Sequence, residues 1–204
     1  MKYCYYLLVI LTFMHLSCKS KKETENAQSK KEVFTWENAT IYFLLTDRFH
    51  NGDKTNDFKH PTEAQPAPYR GFMGGDVKGI TQKIQEGYFD SLGVNAIWMT
   101  PLLENNEGSV DEGTGRSYAF HGYWTKDWTS IDKRLGTNEE VREMVKTAHS
   151  HGIRVLMDAI VNHTGPVTPQ DVKWPADWVK TEPKCTYKDY ETTVNCTLVD
   201  NLPD

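Results

Sequence analysis

Apolar and polar positions along the chain sort into short hydrophobic runs, helical stripes and long polar loops. Residues 39–45 (ATIYFLL) form a β-rich apolar run that stops at Thr46-Asp47-Arg48. A loop rich in Asn, Asp, Gly and Pro follows to about Gly79. Ile80, Ile84, Tyr88 and Leu92 then recur at helical spacing, which predicts one helix closed by Gly93. Residues 94–99 (VNAIWM) predict a second strand, stopped by Thr100-Pro101, and a long loop runs to about Gly136. Thr137 and Glu140 have the form of a capping box. Val141, Met144, Val145 and Ala148 supply the buried stripe of a second helix, which His151-Gly152 ends. Residues 153–161 (IRVLMDAIV) predict a third strand.

This β-α-β-α-β order, with crossovers long enough for right-handed parallel connections, is an α/β pattern. In such folds chemistry collects beyond the carboxyl ends of the strands. The polar residues fall there: Asp47-Arg48 after the first strand, and Asp158 through His163 after the third. A doubly wound sheet usually carries a Gly-rich phosphate turn after its first strand, and the sequence has none at that place. The expected fold is therefore the N-terminal part of a (β/α)8 TIM barrel, with three of its strands present.

The 204 residues carry a net charge of -5 with both signs interspersed, which argues against a nucleic-acid partner. Residues 1–18 (MKYCYYLLVILTFMHLSC) read as an export signal: Lys2 is the positive n-region, and the apolar stretch after it is too short to span a membrane as a helix. Cleavage before Cys18 would make that residue a lipid anchor, with plain secretion as the alternative. Residues 19–35 read as a flexible tether. Residues 36–163 are the expected barrel section, and 164–204 the start of an inserted domain. In an exported protein Cys185 and Cys196 favour a disulfide over two free thiols.

Three clusters carry candidate chemistry. His121-Gly122-Tyr123-Trp124 offers flat rings that can lie on the C–H face of a sugar, with hydrogen-bonding edges for its hydroxyls. A loop packing its own aromatics onto the barrel rim would look the same. Asn51-Gly52-Asp53-Lys54-Thr55-Asn56-Asp57 with the later Gly74-Gly75-Asp76 concentrates hard oxygen donors of the kind calcium requires, although Asx-rich turns are also common without a metal. Asp158, Asn162 and His163 form the third; a carboxylate at a buried strand end must be paired or fully hydrogen-bonded.

The NGDKTND loop with its later GGD, then HGYW, the DAIVNHT stretch, and LPD at 202–204 stand in this order in the α-amylase family of glycoside hydrolases, which residues 39–204 resemble. The spacing is most similar to periplasmic α-amylases and cyclodextrin glucanotransferases. The resemblance implies a (β/α)8 catalytic domain acting with retention on α-1,4-glucans. It implies that Tyr123 stacks on the sugar beside His121 and Trp124, that His163 hydrogen-bonds it, and that Asp158 orders the strand ends. It further implies Ca2+ held by Asn51, Asp53, Asn56, Asp57, the Gly74 carbonyl and Asp76, and a second ion between Asn162 and Asp204. The family's catalytic carboxylates follow strands four, five and seven, so none is expected within this chain, which reads as an N-terminal part. A cyclodextrin-forming transglycosylase and a non-catalytic glucan-binding lipoprotein are the alternatives.

Overall fold

The computed structural model describes residues 34–166 and 168–171. The chain divides into two units, Met1–Thr35 and Trp36–Asp204. In chain order the second unit contains β1 (Ile41–Leu44), a single turn α1 (Thr46–Phe49), α2 (Val77–Gln85), a further turn α3 (Tyr88–Ser91), β2 (Ala96–Met99), β3 (Leu103–Asn105), β4 (Val110–Asp111), β5 (Arg116–Ser117), β6 (Thr125–Ile131), α4 (Asn138–Ser150) and β7 (Arg154–Met157).

Strands β1, β2 and β7 pair in parallel in that spatial order, with Phe43, Trp98 and Leu156 in register. Period-two alternation sends Tyr42 and Leu44, Ile97 and Met99, and Val155 to one face, where they meet Val77, Ile80 and Ile84 of α2 and Met144 and Ala148 of α4. Ile80, Ile84, Phe89 and Met144 are fully buried, and each contributes about 1.5–3 kcal/mol by leaving water. The opposite face carries Ile41, Phe43 and Trp98, which are 41–53% exposed, and the Phe43 and Trp98 rings meet edge to face at 5.2 Å. This is the three-stranded α/β arrangement expected of the barrel's first section.

Local structure departs from the sequence reading at four places. Helix α2 begins at Val77 because Asp76 caps it, accepting from Gly79 N at 2.6 Å. The single helix expected through Leu92 breaks at Gly87, whose φ of +72° ends one helix before α3 begins. The third strand ends at Met157 rather than Val161. The supposed loop before Gly136 holds an antiparallel β3–β6 pair and a β4–β5 hairpin. The capping box of α4 forms as expected: Glu140 N donates to Thr137 Oγ1 at 3.2 Å and Thr137 N to Glu140 Oε2 at 2.9 Å.

Beyond the strand ends lies a second, smaller core of Phe72, Tyr118 and Ala119, lined by Phe58, Phe120 and Trp124. Arg134 lies 4.4 Å from the Phe72 ring. Asp132 accepts from its Nε at 2.8 Å, and the Asn105 carbonyl from its Nη2 at 3.1 Å. A buried cation so satisfied fixes the loops around it, since removing one partner of such a pair costs about 3–5 kcal/mol.

Candidate active site at the strand ends

The end of β1 organises the rim. The buried Asp47 carboxylate accepts from Met73 N at 3.0 Å and Gly74 N at 3.3 Å, and is paired with Arg48. Burial pushes its carboxyl above the usual range, opposed by those N–H donors and by Arg48. Arg48 donates from Nη1 to the Gly71 carbonyl and from Nη2 to the Tyr69 carbonyl, both at 2.8 Å. Its guanidinium lies 4.0 Å from the centre of the Phe120 ring. Sequence reasoning places this pair at a strand end but misses what it holds; the only signal is a charged pair closing an apolar run.

Four of the expected residues come together. Tyr123 donates its hydroxyl to Asp158 Oδ2 at 3.0 Å. The backbone N–H of Tyr123 donates to His121 Nδ1 at 3.0 Å, and the two rings stack with centroids 5.9 Å apart. His163 Nε2 lies 3.0 Å from the Tyr123 carbonyl. Tyr123 therefore sits at the centre, held through its hydroxyl, its N–H and its carbonyl.

These contacts fix which nitrogens can meet a ligand. Because His121 Nδ1 accepts a proton donor, its proton resides on Nε2. Burial lowers the pKa of this imidazole from 6.5 to about 4, with a smaller opposing pull from Glu112. His121 is thus a neutral donor through Nε2. A carbonyl can only accept, so His163 donates from Nε2, and its neutral form leaves Nδ1 as an acceptor. Burial, then the Asp158 hydrogen bond, raises the Tyr123 phenol, which stays protonated. One donor, one acceptor and a clamped phenol ring suit a polyhydroxylated ligand.

Trp124 divides its roles: it packs in the rim core, edge to face with His121 at 4.9 Å. Its backbone N–H donates to Asn105 Oδ1 at 2.7 Å. Trp128, which no sequence motif marks, donates from Nε1 to the Ile160 carbonyl at 2.6 Å and so steadies the segment carrying Asp158 and His163.

The oxygen-rich loop also assembles. Oδ1 of Asn51 and Oδ1 of Asn56 are buried with no hydrogen-bond partner, an arrangement that costs about 1–3 kcal/mol per atom unless something fills it. Asp57 Oδ1 accepts from Asn51 Nδ2 at 2.7 Å. Gly74, at φ +90°, approaches so closely that a Cβ there would collide with both Asn51 and Asp57. Orphaned amide oxygens on the loop that also carries the Asp57 carboxylate are donors of the type a hard cation takes. Among the described residues no three His, Cys, Asp or Glu cluster as a metal site, so the fit depends on amide and carbonyl oxygens.

Two of the expected ligands already have protein donors. Asp76 is fully buried and its oxygens accept from Gly52, Asp53 and Gly79 N–H groups at 2.6–3.2 Å. Asp53 accepts from Thr55 and from Lys78 Nζ at 2.9 Å, partners that hold its carboxyl far below the usual range. Both carboxylates are occupied by local donors. Asn162 is exposed. Asp204, Cys18, Cys185 and Cys196 lie outside the described residues.

A family model described as the α-amylase catalytic domain matches residues 43–203. A periplasmic α-amylase of Escherichia coli (strain K12) is 44% identical over 144 residues, covering 69% of this chain and 21% of that protein. A cyclomaltodextrin glucanotransferase of Bacillus sp. (strain 38-2) is 33% identical over 151 residues, covering 72% and 20%. The chain thus spans about a fifth of these curated relatives. The crystal structure of an α-amylase from Geobacillus thermoleovorans, complexed with acarbose, superposes with a TM-score of 0.55 at 29% identity, covering 84% of this chain and 34% of that one.

Proposed function

The chain belongs to the α-amylase family, and from that premise we propose that the protein hydrolyses α-1,4-linked glucans with retention. The observation that carries the proposal is the convergence of His121, Tyr123, Asp158 and His163. Tyr123 presents its ring to a glucose unit, held by Asp158 through the phenol. His121 donates to a hydroxyl from Nε2, and His163 accepts from one at Nδ1. Retaining cleavage needs two carboxyl groups about 5–5.5 Å apart across the bond. Asp158 holds the Tyr123 phenol, and the family resemblance implies that the reacting pair follows later strands of the barrel.

Calcium is part of the proposal. Asn51, Asn56, Asp57 and the Gly74 carbonyl would hold it, with Asn162 and Asp204 as ligands of a second ion. Such an ion would be structural, cross-linking the loop. Export is supported by the N-terminal signal pattern and by a relative that is periplasmic; a lipid on Cys18 would keep the protein at a membrane.

Similarity to a cyclomaltodextrin glucanotransferase favours transglycosylation as the second reading. Product analysis of the full-length protein on soluble starch decides. Linear maltooligosaccharides released as α-anomers are expected, cyclic products would establish the second reading, and absence of any cleavage would refute both.

A further inference from the structure

We infer that Tyr69 is an outer sugar-stacking residue, a platform on the rim that engages a glucan chain extending past the Tyr123 position. The inference rests on the α-glucan reading above. Residues 67–70 form a tight turn closed by Arg70 N donating to the Ala67 carbonyl at 3.0 Å. Pro68 at its second position has its φ fixed near −65°, and Tyr69 at the third has φ +64°. That combination is a type II turn, in which the third position strongly favours glycine. Tyr69 has the only positive φ among the described non-glycine residues.

A bulky side chain in that conformation is strained, and strain of this kind persists where the surroundings impose it and a function uses it. Three hydrogen bonds impose it. Arg48 Nη2 holds the Tyr69 carbonyl at 2.8 Å, Ala67 N donates to the Arg116 carbonyl at 2.9 Å, and Tyr118 N donates to the Arg70 carbonyl at 2.8 Å. The fold, however, obtains nothing from the ring. Tyr69 is 80% exposed, and its side chain makes no hydrogen bond or ring contact with any described residue. Glycine would make the same turn without strain, so the ring serves something outside the fold.

Position and chemistry point to a carbohydrate. Arg48, which grips the Tyr69 carbonyl, lies under Phe120, whose ring is 5.2 Å from His121. Tyr69 therefore stands on the rim that carries the candidate site. Its chain neighbour Arg70 is paired with Glu112 at 3.4 Å, which puts charged hydrogen-bonding groups at the same turn. A solvated ring on a backbone held by three hydrogen bonds is suited to the C–H face of a sugar, and charged groups nearby in the sequence suit its hydroxyls better than a hydrophobic protein partner.

The test compares wild-type full-length protein with Tyr69→Ala, Tyr69→Phe and Tyr69→Gly. On maltoheptaose and soluble starch Y69A should lose about 3- to 10-fold in kcat/KM, mainly through KM, while turnover of maltotriose stays unchanged. Y69F should match the wild type. Y69G should share the defect of Y69A while melting no lower than the wild type. Affinity electrophoresis through amylose gives a readout independent of cleavage: wild type retarded, Y69A less so. Wild-type protein that is retarded but does not cleave would sink the hydrolase reading while leaving Tyr69 testable on the gel. Equal behaviour of Y69A and wild type on long chains would overturn the inference, as would an equal loss on short and long chains accompanied by a lower melting temperature, and so would absence of both retardation and cleavage.

Discussion

Replacing Asn56 by Ala tests the cation reading through a change of sign. Oδ1 of Asn56 is buried and unpartnered in the structure, and an orphaned acceptor of this kind costs about 1–3 kcal/mol. In a chelator the substitution removes the orphan, so N56A should be as stable as the wild type, or more stable by about 1 kcal/mol after lost packing. On the cation reading the same oxygen is a ligand once calcium is present. Removing a group that merely supports a ligand weakens metal binding about 10–100-fold, and losing a ligand should do no less. At a fixed calcium concentration above both dissociation constants that factor corresponds to about 1.4–2.7 kcal/mol of stability lost. The ranking of the two proteins therefore inverts between the media. Urea melts of full-length protein in EDTA and in calcium chloride measure it, with calorimetric calcium titration alongside. A destabilisation of the same size in both media would refute the reasoning, because Asn56 would then be an ordinary packing residue.

The remaining predictions concern the rim and the sheet. His163→Ala should lower kcat/KM on maltooligosaccharides about 100-fold, roughly 2.7 kcal/mol of transition-state stabilisation; unchanged turnover would remove His163 from the site. His121 takes up a proton near pH 6.5 when unfolded but only near 4 when folded. Its contribution is therefore complete above pH 6.5 and lost as pH falls towards 4, on the order of 3 kcal/mol in all. H121Q should flatten that slope in urea melts across the window, and parallel curves for variant and wild type would contradict it. Residues 36–204 produced alone should self-associate, because Ile41, Phe43 and Trp98 leave one sheet face bare and β1 and β7 are its edges among the described residues. A monomeric sedimentation profile with a cooperative melt would disprove this.

Elements are legible in the sequence where their signals are local. The strands around Tyr42, Ile97 and Val155 and the capped helix of Met144 announce themselves through periodicity and a Thr-Glu box. Strand β6 does not: in TKDWTSI the alternation is carried by polar residues, and Thr125 is buried without being apolar. The break at Gly87 is hidden because the apolar stripe continues into Phe89 on the far side. Asp76 has a second role that the sequence does not separate from the first, for a physical reason. A carboxylate before a helix is equally a metal donor and a cap on paper, and only the folded loop brings Gly52 and Asp53 N–H groups to it. His121, Tyr123, Asp158 and His163 are legible as family motifs, but the Tyr123–Asp158 bond joins residues 35 apart. Arg48 is silent because two of its partners are carbonyls, which leave no mark in a sequence.

Asp47 and Arg48 are neighbours in the chain, yet they face different clients. Asp47 fastens the backbone at Met73 and Gly74, the latter close against Asn51 and Asp57. Arg48 fastens Tyr69, Gly71 and the Phe120 ring next to His121. If a cation bound at the first loop raised the affinity of the second for a sugar by some factor, linkage would require the sugar to tighten the cation by that same factor. A calcium titration repeated in the presence of a bound glucan would read such reciprocity directly: a shifted affinity would make the dipeptide at the end of one short strand a common anchor of both sites, and an unchanged one would leave it two separate fasteners.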